Sequence, residues 1–526
     1  MSTVPASTVS ASTVPASTVP ASTVPARRAG RHRLARLAAR LVPAAACLGV
    51  LLAAGCTGTG PRPAPPVIFQ SAPPSAVWSG PSAASPTTVT ILSGADTSVS
   101  AGNEPLRKDE PGMYEQLVDW WNTYQEAATG IHLVLDTVSG GATAEHSEML
   151  ADAQAGSSDY DIYNLDNEWV PEFAAAGFVR PLPARVPTAG FLPLPLESGG
   201  YGGRLYAMPF TTDVGLLYYR TDQVSAAQVK ALRSFTDLVK LAGQTVVVGP
   251  HPVIGYAGQF ADYEGLTVNL LEIMHSDDPD VFAADGTVRD ANAVTQGLQQ
   301  LYDAMYLTGV IPPSELGYTE SQAFTAFAGG QALFMRNWPI YYELLTSASV
   351  KGSSFTAGHF AVAPLPFPSV LGGQDLAVSA GSRHPSAALR VIQFLTSAQA
   401  EQCLFAVGGF PATRGSAYAP GTPLPSGYLS VSGHPLCGTK PGRSPQIGPV
   451  ILAAIGQAFL RPRTPYYTEF TAIVTDQVPQ LLNGTTKLGD LVRALETSLA
   501  AAAAGRAPPP GTEPGTAPAG TPAASR

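Results

Sequence analysis

The chain has 526 residues, more than one ordinary domain needs, so two or more folded units are expected. Its 30 Lys and Arg against 39 Asp and Glu give a formal charge of −9, and beyond the first segment no long basic patch occurs, which argues against a nucleic-acid partner. Charged residues are sparse at 13%, and Pro and Gly are plentiful, partly because both ends are of low complexity.

Residues 2–26 repeat a five-residue STVPA-like unit, from which no core can be built; this is disorder or a misjudged start codon. Arg27, Arg28, Arg31, Arg33, Arg36 and Arg40 then precede the apolar run 41–54 (LVPAAACLGVLLAA). That run is shorter than the ~20 residues that span a bilayer. It ends in Leu52-Ala53-Ala54-Gly55-Cys56, a small-residue approach to a cysteine that reads as a lipoprotein signal peptide, with Ala53 where Leu is usual. Acylation of Cys56 would tether the mature protein to the outer face of the cell membrane; ordinary cleavage is the competing outcome. Residues 57–86, rich in Pro, Ser, Ala and Gly, read as a flexible spacer, and 501–526 as a disordered tail. The folded part is expected over 87–500.

Of the four cysteines, Cys47 falls in the expected leader and Cys56 is the proposed lipid acceptor, which leaves Cys403 and Cys437 as an even pair in an oxidising compartment. A disulfide is the simplest reading. Two Cys with no His at ligand spacing do not make a zinc set, so neither a metal nor a cofactor is expected.

The periodicity predicts strands over 87–93, 131–138 and 160–165, alternating with amphipathic helices over 113–128 and 144–154. This β-α-β-α-β order calls for a mostly parallel sheet covered by helices, with ligands gathering at the carboxyl ends of strands, where Asp96 and Asp166 fall. Strands are also predicted over 245–248, 332–336, 359–364 and 376–379, and helices over 263–274, 291–307, 321–328, 385–397, 450–460, 467–482 and 488–499. The stretch 201–220 (YGGRLYAMPFTTDVGLLYYR) organises the chain: a Gly202-Gly203 turn, a polar step ending at Asp213, then an apolar strand closed by Arg220.

That stretch resembles the crossover segment of family 1 extracellular solute-binding proteins, the sugar-capturing subunits of ABC importers. The same resemblance extends through YDIYNLDNEWVPEFAAAGFVRPL (160–182), DYEGLTVN (262–269), the block ending in FMRNWP (334–339), GGFPATR (408–414) and RPRTPYY (461–467), in the order and spacing of the trehalose/maltose-type members. It implies an α/β, two-lobed periplasmic-binding-protein-like fold of type II, each lobe a mixed, mostly parallel sheet flanked by helices, with the ligand cleft between them. The lobes would be 87–213 with 367–402, and 214–366 with 403–500. They would hinge at crossovers near 216–219, 360–366 and 402–407.

The resemblance also implies a site. A sugar offers hydroxyls and flat apolar ring faces, so carboxylates, amides, a guanidinium and aromatic rings suit it. The expected ligand-binding residues are Asp96, Glu104, Asp166, Trp169, Asp213, Tyr263, Glu264, Asn337, Trp338, Gln374 and Arg414. Several have competing structural roles. Asp166 suits a helix cap, Trp169 and Trp338 suit the core, Glu264 suits a first-turn carboxylate, and Arg414 suits the surface. Gln374 departs from the family, which commonly has an aromatic there. The expected function is a monomeric substrate-binding lipoprotein that delivers a neutral di- or oligosaccharide to membrane permease subunits, and not an enzyme. A glycosidase built on the carboxylates of Asp166, Asp213 and Glu264, or a lipoprotein that docks cell-wall material, are the alternatives.

Overall fold

The computed structural model describes residues 86–94, 112–245, 254–346, 358–418, 430–431, 434–436 and 443–506, all within one compact unit, Pro66–Arg526. Residues 1–85, which hold the expected leader with Cys56 and nearly all of the expected spacer, and Asp96, Glu104 and Cys437 lie outside the described residues.

Two open sheets carry the fold. The first has the strand order Ile131–Val138, Thr87–Gly94, Ile162–Asp166, Gln374–Val378, Ala207–Pro209. The second has Phe360–Pro364, Leu216–Arg220, Ala332–Asn337, Ile254–Ala257. Both are mixed. Thr87–Gly94 runs parallel to both its neighbours, and Ala332–Asn337 runs parallel to Ile254–Ala257. Every antiparallel pairing in these two sheets involves a strand next to a crossing between them: Ala207–Pro209 and Leu216–Arg220 flank one, Phe360–Pro364 and Gln374–Val378 the other. The parallel share is therefore smaller than the alternating pattern of the first residues suggested.

Each sheet has its own apolar core. Val89, Ile91, Leu117, Trp121, Leu389 and Ile392 pack on the first, whose other face is closed by Tyr163, Leu165 and Phe173. Leu217, Phe334, Leu266, Leu270, Phe470 and Leu495 fill one face of the second, and Leu216, Phe327, Met335 and Ile451 the other. Strands buried on both faces read as unbroken apolar runs, which is why 216–219 and 332–335 show no alternation.

The predicted helix over 113–128 is real through Tyr124; at Gln125 it breaks, and Tyr124 is left exposed. Helices Ala226–Ala231 and Phe235–Gln244 were not expected, although Ser225 and Ser234 announce them by accepting the backbone N–H of Gln228 and Asp237. The second helix occupies the approach to the strand expected over 245–248, of which only Thr245, its cap, is described. The helix expected over 450–460 is Gly448–Ile455. Beyond it Phe459 runs extended and exchanges backbone hydrogen bonds with Ser369 and Leu371, closing the crossover on one side.

The second crossover has one position that only glycine fits. Gly373 has φ of 108°, and a Cβ there would lie 2.4 Å from the carbonyl oxygen of Thr211 on the first crossover. Just beyond it, Asp375 is buried, with its carboxylate accepting from the Ser198 hydroxyl at 2.8 Å. Burial pushes its pKa up to about 7, against the pull of Ser198 and Arg463. An acid raised above its unfolded value holds an extra proton in the native state, so its stabilisation is present at low pH and is lost as pH rises toward 7. Asp375→Asn should flatten the stability–pH curve between pH 5 and 7 by about one proton, about 1.4 kcal/mol per pH unit. Denaturant melts of both proteins across that range measure it; parallel curves would contradict it.

Candidate functional site

A cavity of about 540 Å³ lies where the two sheets face each other across the crossovers. Its first wall comes from the ends of elements of the first sheet. Glu145 stands in the first turn of helix Ala142–Ala155, Asp166 ends its strand, Glu168 follows it, and Gly372, Gly373 and Gln374 belong to the second crossover and the strand after it. The opposite wall comes from Asp213, from Tyr263 and Glu264 at the start of helix Glu264–His275, from Glu320 at the start of helix Glu320–Ala328, and from Trp338, Tyr341 and Arg461. Several helix N-termini converge here, and their positive ends favour the carboxylates placed on them.

Asp166 and Gln374 sit opposite each other in the sheet register, and the Gln374 amide donates to Asp166 Oδ1 at 2.9 Å. The Thr211 hydroxyl, on the first crossover, donates to the side-chain oxygen Oε1 of Gln374. Thus Asp166 and Gln374 present a fixed amide–carboxylate pair to the cavity. Across the cavity Trp338 lies at the strand end. Its indole N–H points to Glu320 Oε1 at 3.4 Å, and the Tyr263 hydroxyl donates to Glu320 Oε2 at 2.7 Å. A Cβ on Gly372 would meet Asp213 Cβ at 3.3 Å and Trp338 Cη2 at 3.5 Å, so the crossover, the acid and the ring form one continuous wall.

The floor is an ion-paired cluster. Arg461 Nη1 donates to Glu168 Oε1 and to Glu264 Oε1, both at 2.8 Å, and Nη2 to Glu168 Oε2 at 2.5 Å. Glu264 also accepts from the Tyr467 and Thr471 hydroxyls at 2.5 and 2.6 Å. Burial works against the Arg461 charge, but the carboxylates of Glu168 and Glu264 outweigh it and raise its pKa, so the guanidinium stays charged. Among the described lining residues, six carboxylates face this one guanidinium.

Six of the expected site residues line the cavity together: Asp166, Asp213, Tyr263, Glu264, Trp338 and Gln374. Three described ones do not. Trp169 is buried in the core, edge-on to the His146 ring at 5.1 Å, because the helical turn that begins at Asn167 rotates it away from Asp166. Asn337 is buried and turns inward, donating to the Glu320 carbonyl at 3.0 Å and accepting the Trp338 N–H at 2.9 Å; it holds the neighbouring backbone. Arg414 lies over the Phe191 ring and donates to the carbonyls of Thr396 and Ala189 at 2.7 and 2.8 Å, so its donors are engaged in protein packing. Glu168, Glu320, Tyr341 and Arg461 were not singled out from the sequence. Arg461 lay inside the RPRTPYY segment, and Glu320 follows Thr319, whose capping box with Gln322 marks a helix start.

Among the described residues no group of three or more His, Cys, Asp or Glu could hold a metal ion, and no helix is long and apolar enough to cross a membrane. The family model of the bacterial extracellular solute-binding proteins matches residues 108–402. A probable ABC transporter-binding protein of Deinococcus radiodurans is 32% identical over 267 residues, which span 47% of this chain and 61% of that protein. A probable amino-acid ABC transporter periplasmic-binding protein of Sinorhizobium fredii is 24% identical over 298 residues, 54% of this chain and 67% of that one. Among solved structures, maltose-bound MalE3 of T. maritima superposes with a TM-score of 0.64 at 27% identity, covering 78% of this chain and 99% of that one. The GacH receptor of Streptomyces glaucescens shares the fold with a TM-score of 0.61 at 21% identity, covering 80% and 99%. With more than half of its length matched by the family model, and with two sheets joined by crossovers around a cleft, the chain belongs to the bacterial extracellular solute-binding proteins, which capture a solute and do not transform it.

Proposed function

We propose that the chain captures a neutral di- or oligosaccharide, with α-linked glucose disaccharides such as maltose or trehalose as its favoured ligands, and hands it to the permease of an ABC importer. The observation that carries this reading is the pairing, in one cavity of about 540 Å³, of the Trp338 ring with the opposed Asp166–Gln374 pair and Asp213. A ring face suits the apolar side of a pyranose, and carboxylate and amide oxygens suit its hydroxyls; pockets of ~300–1,000 Å³ take ligands of this size. The excess of acids would repel a phosphorylated or acidic sugar. The likeness to maltose-bound MalE3 supports the same choice. The ligand-contacting set of this proposal is Asp166, Asp213, Tyr263, Trp338, Gln374 and, through the floor, Glu264 and Arg461. Incubation with a panel of neutral disaccharides tests it: a thermal shift with the sugar recovered intact supports capture, whereas turnover or no shift contradicts it.

The same proposal puts the protein at the outer face of the membrane as a diacylated lipoprotein, with lobes of 87–213 and 367–402, and of 214–366 and 403–500. It pairs Cys403, buried in the first core, with Cys437. A loop of that length should contribute roughly 3–4 kcal/mol in the chain-entropy model. One intact-mass measurement of the unreduced mature protein checks both covalent features. Expected are a chain starting at acylated Cys56 and two thiol protons missing. An unmodified terminus removes the anchor, and two free thiols remove the disulfide.

A further inference from the structure

Arg336 is fully buried beside the cavity, and the sugar-capture reading above gives it no role. Its guanidinium carbon lies over the Trp338 ring, 3.8 Å from the ring centre, within cation–π range. The edges of that guanidinium are pinned. Nε donates to Glu272 Oε2 at 2.9 Å, Nη2 to Glu272 Oε1 at 2.7 Å, and Nη1 reaches Gln259 Oε1 at 3.4 Å. Glu272 is held in turn by the second crossover, accepting from the Ser369 hydroxyl at 3.0 Å and the Val370 N–H at 3.1 Å. The Gly215 N–H, on the first crossover, donates to that same Ser369 hydroxyl at 2.6 Å. No room remains around the pair: a Cβ on Gly215 would lie 2.8 Å from both Arg336 Nε and Glu272 Oε1.

We infer that Arg336 is a positioning residue for ligand binding: anchored by Glu272 between the two crossovers, it backs the Trp338 ring and holds it as a fixed platform for the sugar. The inference rests on the reading of Trp338 as that platform. Its physical basis is preorganisation. A tryptophan free to change rotamer loses that freedom when a ligand lands on it, whereas a ring already held by a guanidinium on its face, Glu320 at its N–H and Gly372 at its edge has little left to lose. Lysine cannot replace arginine here, because an ammonium has neither the flat face nor the bidentate fork.

A double-mutant cycle read by calorimetric titration with maltose tests the inference. Arg336→Lys should weaken binding about three- to tenfold in the protein that keeps Trp338, the range expected for one unfixed aromatic side chain. In the Trp338→Ala background the same substitution should change affinity by less than about twofold, since the ring it serves is gone. An equal loss in both backgrounds, or no loss in either, overturns the positioning role. If Trp338→Ala leaves maltose affinity unchanged, the platform reading itself fails, and the inference falls with it. Should Arg336→Lys not fold, Arg336→Met paired with Glu272→Gln takes its place in the cycle. That pair removes both buried charges together, which folds tolerate better than the loss of one, and it keeps an acceptor for the Val370 N–H.

Discussion

Arg461→Ala should destabilise the protein by about 3–5 kcal/mol, the typical cost of breaking a buried ion pair from one side. The guanidinium is buried, with two contacts to Glu168, one to Glu264 and one to Asn167. Its removal leaves the Glu168 carboxylate buried with no cation in contact, and takes from Glu264 one of its donors. The cluster joins elements of both lobes. Glu168 follows the last strand of the first sheet's opening β-α-β-α-β run, and Glu264 opens a helix on the second. The loss should therefore reach sugar affinity as well as stability. It should also shrink on acidification, because burial already raises the Glu168 pKa well above the ordinary carboxylate range and without the arginine it takes up a proton more readily. Urea melts at pH 7 and pH 5 read both effects. A shift below about 1 kcal/mol at pH 7 would mean that the cluster is not a structural floor, since exposed pairs are worth that little.

Trp338→Ala is expected to weaken binding of a neutral disaccharide by on the order of 1–3 kcal/mol, about five- to 150-fold, from the loss of a large aromatic face. The ring lines the cavity and is only partly buried by the protein. Stability should fall less than for a core tryptophan such as Trp121, whose indole is buried and donates to the Ile131 carbonyl at 2.9 Å. Titration of both proteins with maltose, alongside a melt of each, separates the two effects. An unchanged affinity would remove Trp338 from the site.

Much of this arrangement was legible because it rests on short-range chemistry. The Thr-Thr-Asp step before an apolar run placed Asp213 at the mouth of a strand, and the strand–Trp–Pro order placed Trp338 at a strand end; that the strand follows a crossover came from the family resemblance. What escaped depends on direction and on distance along the chain. Trp169 and Asn337 adjoin true cavity residues, but side chains one step apart on a strand or a tight turn point different ways, and adjacency was mistaken for orientation. Arg414 does not line the cavity, and its partners, the Thr396 and Ala189 carbonyls and the Phe191 ring, come together only in the folded chain, so no local pattern announces them. Arg461 and Glu168 are 293 positions apart, and no local pattern announces that pairing. The helix at 235–244 was missed for a simpler reason: its capping serine was there to be read.

The cleft between the sheets is defined by the solute it holds. Calorimetric titration of the mature protein with maltose and trehalose, with a free amino acid and a phosphorylated disaccharide as controls, measures it directly. The expected result is saturable binding of a neutral disaccharide at one site per chain, with no heat from either control. Binding of the amino acid or the phosphorylated sugar with none of the neutral disaccharides would contradict the ligand assignment, while leaving the two-lobed fold in place.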